Sequence, residues 1–249
     1  MEIFRHLPPS QNGDVILALR TEHEVYVEYR SGPRELYDLR TDPYQLQNVY
    51  ATADAGHIAE LSQRLAVLAV STGDPAKIES VVVNDGSAQR SMVNSLSISF
   101  DRVVTFDAGA FELQSQNGDQ ISLNVASSVV DGRMVAVLTF IGSGIIGGSL
   151  MDGDYKLTIR GDHIRAEVGR ELDGDRDGNG GGDRMDAFFR LFGDSDGDCD
   201  VDWLDRDEFR SVFNKSTDDA SYLWYFDFDG DGDVDGLDNG QFNRRFRQH

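Results

Sequence analysis

The spacing of apolar residues changes character three times along the chain, and each change predicts a different kind of element. Within 13–70, the runs 15–20, 25–30 and 34–39 are rich in β-prone residues. Glu22 to Glu24, then Ser31 and Gly32, supply turns between them, which predicts an antiparallel meander. Thr41, Asp42 and Pro43 mark a turn or helix start, with proline where its missing N–H costs nothing. Ile58, Leu61, Leu65 and Leu68 follow at helical spacing and predict an amphipathic helix. The polar, Gly- and Pro-containing stretch 71–75 reads as a linker.

From 78 to 170 the period shortens. Runs at 78–83, 96–100, 103–106, 111–113, 121–125, 134–140 and 155–159 are seven short strand candidates. Leu96, Ile98 and Phe100 alternate with serines, the period of a half-buried strand. Asn84 to Gly86, Asn117 with Gly118, and Asp131 with Gly132 mark turns. Strands at this spacing suggest a β-sandwich, with an open barrel as the competitor.

Residues 183–249 repeat internally. Positions 194–213 and 227–246 match at a constant offset of 33. Met185, Phe188, Phe189 and Phe192 lie at helical spacing before the first copy, and Leu223, Trp224 and Phe226 before the second, so each half reads helix, loop, helix. The expected fold is therefore multidomain: a small α+β unit over 1–75, an all-β sandwich over 76–170, an acidic Gly-rich linker over 171–182, and an all-α pair of loops over 183–249.

Charge sharpens the picture at one end. Of the net −21, residues 171–249 hold 22 acidic against 9 basic side chains, a net of −13. Such a segment repels phosphates and anionic membranes, which argues against nucleic acid and against membrane insertion. No stretch approaches the roughly 20 apolar residues of a membrane span. Residues 1–10 lack the apolar core of a signal peptide, so the chain as written shows no export signal. The lone Cys199 cannot form an intrachain disulfide.

The acidic residues are not scattered. Calcium takes six to eight oxygens at about 2.3–2.6 Å, and a twelve-residue loop supplies them from positions 1, 3, 5, 7, 9 and 12. At 227–238 those positions are Asp227, Asp229, Asp231, Asp233 (through its carbonyl), Asp235 and Asp238, with Gly232 at the sharp sixth position. Val234 at position 8 is expected to pair the two loops. At 194–205 they are Asp194, Asp196, Asp198, Asp200, Asp202 and Asp205, but Cys199 replaces the glycine. A non-glycine residue in a left-handed conformation costs about 1 kcal/mol. A solvated acidic tail is the bland alternative. It does not explain Phe188, Phe189, Phe192, Phe209, Phe213, Trp224, Phe226, Phe242 and Phe246 in phase with the loops.

Both loops are EF-hand-like, and both end in aspartate where the general EF-hand pattern has glutamate. In this, and in their duplication, they resemble dockerin modules. The resemblance implies calcium as cofactor and a cohesin-like or cell-surface protein as partner. A third acidic stretch places Asp173, Asp175 and Asp177 at positions 1, 3 and 5 and Gly178 at position 6, with Arg184 where the last ligand belongs. It reads as a weak third site or as a flexible acidic linker.

The string from Tyr26 to Asn48, with Glu35, Leu36, Tyr37, Asp38, Leu39, then Asp42, Pro43 and Asn48, is similar to the C-terminal subdomain of type I sulfatases. Gln45 stands where that pattern has glutamate. The resemblance implies a small antiparallel sheet beside a catalytic domain that acts on sulfated glycans. The family's C/S-x-P-x-R nucleophile motif is absent: Cys199 is followed by Asp200, Val201, Asp202 and Trp203. Its metal-binding aspartate cluster is absent as well. Residues 78–170 resemble bacterial Ig-like spacers. These readings make the chain a non-catalytic portion of a secreted sulfatase-like protein, extracellular or at the cell surface by domain type. A free-standing calcium-dependent adhesion or scaffold protein is the alternative.

Overall fold

A computed structural model describes residues 3–7, 16–29, 31–72, 74–166 and 169–247, with backbone alone at 3–7 and 69–72. Val15, Arg30 and Gly73, placed above in two strands and a linker, lie outside these residues, as do residues 1–10 apart from 3–7. The chain divides into two compact units, 1–75 with 166–170, and 76–165 with 171–249.

The first unit is a four-stranded antiparallel sheet in the order β1 (Ile3–Leu7), β2 (Ile16–Arg20), β3 (Glu24–Tyr29), β4 (Arg34–Asp38), followed by α1 (Ala55–Thr72). Alternation sorts its two faces. Leu19, Tyr26 and Leu36 pack with Leu61 and Leu65 of the helix, while Ala18, Val25 and Val27 form a separate cluster. The distinctive string from Arg34 to Asn48 satisfies its own polar groups. Asn48 Oδ1 accepts from the amides of Leu36 (3.0 Å) and Tyr50 (3.0 Å), and its Nδ2 donates to the Arg34 carbonyl (3.2 Å). Asp42 Oδ2 accepts from the Gln47 amide at 2.8 Å, closing the turn around Pro43.

The second unit is mostly β. Its strands are β5 (Ile78–Val83), β6 (Ser95–Phe100), β7 (Val104–Phe106), β8 (Phe111–Ser115), β9 (Gln120–Val130), β10 (Arg133–Ile141), β11 (Gly153–Ile159), β12 (Ile164–Ala166) and β13 (Arg184–Arg190). Helices α2 (Trp203–Val212) and α3 (Gly236–Arg245) follow. Seven strands form one sheet in the order β13-β11-β8-β9-β10-β6-β5, and β7 pairs with β12 apart from it. Leu96, Ile98 and Phe100 are fully buried, as are Leu138, Leu157 and Ile159 on neighbouring strands.

This architecture corrects the expected fold class in two places. The β region is one sheet rather than a two-sheet sandwich, because the long β9 is shared. Its first residues pair with β8 and the rest, from Ser122 to Val130, pair with β10. The all-α module is absent. Residues 185–192 form no helix: Arg184–Arg190 pairs residue for residue with β11, and Phe188 stacks on Tyr155 at 5.6 Å. The free edge of β11 offers this segment a full ladder of hydrogen bonds, which outweighs a weak helical spacing. Before the second loop stands a single 3-10 turn, Trp224–Phe226. Each half therefore reads loop, helix, with no helix entering.

Candidate metal centre

Each acidic loop ends on a capped helix. Asp202 accepts from the Leu204 amide at 2.7 Å while Asp205 returns to accept from the Asp202 amide at 2.8 Å. Asp235 and Asp238 repeat the pair at 2.7 and 2.6 Å. This capping box satisfies two of the amides a helix start leaves open. The final aspartate does more: Asp205 Oδ1 accepts from the Ser195 amide (2.7 Å) and Asp238 Oδ1 from the Phe228 amide (2.7 Å). The short side chain at position 12 thus ties the loop's second residue to the first turn of the helix.

The first aspartate organises the turn. Asp194 accepts from the amides of Gly197 (2.6 Å) and Cys199 (3.1 Å), and Asp227 from those of Gly230 (2.7 Å), Asp231 (3.2 Å) and Gly232 (2.9 Å). Positions 4 and 6 take positive φ in both loops: Gly197 80° and Cys199 76°, Gly230 73° and Gly232 98°.

These turns bring carboxylates together. Asp194, Asp196 and Asp205 each place an oxygen within 4.8 Å of the others, as do Asp227, Asp229 and Asp238. A second grouping in each loop joins Asp200 and Asp202 to Asp205, and Asp233 and Asp235 to Asp238. Asp198 and Asp231 enter neither grouping; each accepts from the amide two residues on, at 3.1 and 3.2 Å. Asp173, Asp175 and Asp177 form a further grouping. Acidic clusters able to hold a metal ion are therefore present in all three predicted stretches.

The electrostatics fit a cation. Asp194, Asp205, Asp227 and Asp238 are buried. Burial pushes the Asp194 carboxyl up to about 6 against the pull of the Gly197 and Cys199 amides, and the charges of Asp205 and Asp198 add to it. Burial likewise raises Asp238 to about 6. Asp196 and Asp229 are raised by burial and by neighbouring aspartates. A buried Asp233 oxygen has no hydrogen-bond partner. Carboxylates crowded and desolvated in this way gain from a hard divalent ion.

The two loop–helix copies interlock. Val201 and Val234 are buried, but the expected contact between them is replaced. Val234 exchanges hydrogen bonds with 214–215 (Asn214 N to Val234 O 2.8 Å, Val234 N to Lys215 O 2.8 Å), and Arg247 N donates to Val201 O at 2.9 Å. The chain leaving each helix thus pairs with the other copy's loop. Phe209, Phe226 and Phe242 fill the space between, with Phe209 stacked on Phe242 at 4.6 Å.

The copies also rest on the sheet unit. A Cβ on Gly197 would collide with the Ala88 carbonyl, and one on Gly230 would lie 2.8 Å from Gly147 Cα. Met92 joins the aromatic core. Asp152 binds both Arg190 and Arg245, whose guanidinium groups lie over the Phe192 and Phe228 rings at 5.4–5.6 Å. The 142–148 segment packs against the second loop through Gly147, which lies close to Phe228 and Gly230.

Sequence reasoning missed Tyr222, whose hydroxyl donates to Asp227 Oδ2 at 2.7 Å. The repeat offered a signal: its counterpart 33 residues earlier is Phe189, which has no hydroxyl. Ser195, which donates to Asp205 through amide and hydroxyl, carries no such signal.

No protein-family model and no curated protein matches the chain. Among solved structures, surface layer protein SbsC, domains 1–6, is similar over 57% of this chain and 18% of its own length, at 16% identity and a TM-score of 0.30. Among the described residues no helix is long and apolar enough to cross a membrane.

Proposed function

We propose that the chain is a non-catalytic, calcium-binding portion of a secreted multidomain protein, and that its paired acidic loops are the calcium sites. The observation that supports this is the convergence, twice over, of the carboxylates at positions 1, 3 and 12 around one turn geometry. Ligands that are all carboxylate oxygens suit calcium. Magnesium demands a tighter octahedron and keeps its water. Bound calcium offsets the repulsion among six aspartates in twelve residues and fastens the loop–helix pair to the sheet unit.

The parent protein is proposed to be a sulfatase-like hydrolase of sulfated glycans, on the strength of the string from Tyr26 to Asn48. The calcium-loaded loops, dockerin-like in sequence, would serve attachment or assembly with a cohesin-like or surface protein outside the cell. The chain itself has no nucleophile motif for sulfate ester hydrolysis.

Both tryptophans, Trp203 and Trp224, lie in the loop–helix region, so intrinsic fluorescence of the full chain reports that region alone. A calcium titration should give a saturable change, reversed by chelator and reproduced poorly by magnesium. No response to calcium by fluorescence or calorimetry would sink the proposal. The same preparation should leave aryl sulfates untouched, and turnover that depends on residues of this chain would overturn its non-catalytic half.

A further inference from the structure

The 173–179 turn stands apart from the paired loops in sequence and has no helix after it, yet it is built on the same plan. Its fourth and sixth residues, Arg176 and Gly178, have φ of 64° and 91°. The Gly178 amide donates to Asp173 Oδ2 at 3.1 Å and the Asn179 amide to Asp177 Oδ1 at 2.7 Å. The segment is tied down on both sides: Asp173 N donates to Ala76 O (2.9 Å), Gly174 N to Gly182 O (3.0 Å), and Arg176 Nη2 to Ile78 O (2.8 Å).

What singles it out is Asp173, a carboxylate with no solvent exposure. One oxygen, Oδ2, receives the Gly178 amide and has the Lys77 ammonium at 3.9 Å. The other, Oδ1, is buried and has no hydrogen-bond partner. Buried polar atoms in native proteins are nearly always partnered, and an ionised oxygen left alone is among the costliest to bury. Among the described residues no side chain donates to Oδ1. The neighbouring side chains supply two more carboxylates, Asp175 and Asp177, whose oxygens lie within 4.8 Å of Asp173 and of each other. Three converging carboxylates around an orphaned buried oxygen call for a cation. Lys77 is too distant for the short contact of a charge-assisted hydrogen bond, about 2.7–2.9 Å, and it faces the other oxygen.

We propose that Asp173, Asp175 and Asp177 form a third calcium site, independent of the paired loops. The opposite wall is made by backbone. Gly182 lies so close to Asp175 that a Cβ there would collide with its carboxylate. A hard ion with flexible coordination suits a site open on one side, where water completes the shell.

The test is calcium stoichiometry on the full chain, by equilibrium dialysis with metal analysis, together with the tryptophan response. Asp175→Asn and Gly182→Ala are the variants of choice. Asp175 is exposed, and Gly182→Ala displaces its carboxylate without changing the charge. Asp173→Asn is the more severe third variant. Each should bind one calcium fewer than the wild type while the tryptophan response keeps its amplitude and midpoint. If the paired loops bind nothing, the wild type should still take up one ion and the variants none, so the two readings fail separately. Unchanged stoichiometry in both Asp175→Asn and Gly182→Ala would overturn the proposal and leave Lys77 as the countercharge of Asp173.

Discussion

The two paired loops trace the same turn with different means. The second uses Gly232 at φ 98° in its sixth position, where the first holds Cys199 at φ 76°. Glycine adopts that conformation freely, and another residue pays about 1 kcal/mol for it. The first carboxylates differ too. Asp227 collects three amides and the Tyr222 hydroxyl, whereas Asp194 collects two amides. The first loop is held from outside instead: the Asp194 carbonyl accepts from Arg90 N at 2.9 Å, and Gly193 N donates to Ser91 Oγ at 2.8 Å. Both loops rest against the body, but the second carries more of its turn in its own residues. A sequence repeat therefore does not imply equal energetics.

The largest effect bears on what the loops share. Removing calcium from the paired loops with a chelator should lower stability by about 5 kcal/mol, roughly 2.7 for each loop at a calcium concentration 100 times Kd, with any loss at the 173–177 turn coming on top. Urea melts with and without chelator measure this, and coincident melts would show that neither loop depends on the ion. Next comes the contrast between first carboxylates. Asp227→Ala and Asp194→Ala should each lose an ion, but the first strands four donors against two, so Asp227→Ala should cost about 2 kcal/mol more. Equal losses would erase the asymmetry.

Tyr222→Phe should cost about 1.5 kcal/mol, the scale of a hydrogen bond to a charged group, lost from the second loop. Terbium luminescence titrated on the variant and on the wild type measures the loss. The smallest effects come from the sixth position. Cys199→Gly should stabilise by about 1 kcal/mol and Gly232→Cys destabilise by a similar amount, with the double exchange near neutral. If Cys199→Gly instead destabilises, the thiol makes a contact that outweighs the backbone strain.

The acidic turns were legible because their chemistry is local. An aspartate at every second position and a glycine at the sixth describe the fold of seven residues without help from the rest. The meander and helix of the first unit were legible for a like reason: Leu19, Tyr26 and Leu36 keep the strand period, and Leu61 and Leu65 the helical one. The strand β13 was not. Met185, Phe188, Phe189 and Phe192 satisfy a helical spacing, and only the edge of β11, some thirty residues earlier, makes them a strand. The single sheet was hidden in the same way, since the exchange of partners along β9 depends on register and not on composition. Asp173 is buried where its amide pairs with the Ala76 carbonyl, nearly a hundred residues away, and no local pattern announces it.

The exchanged exits of the two helices, Asn214 onto Val234 and Arg247 onto Val201, have a mechanical consequence. Each loop is strapped shut by a segment that begins in the other half, so neither can swing open while its neighbour stays fully latched. On the calcium proposal, an ion leaving one loop would loosen the buckle on the other. The pair should therefore empty and fill in concert, and a pull on the segment after α3 is felt first in the more distant loop.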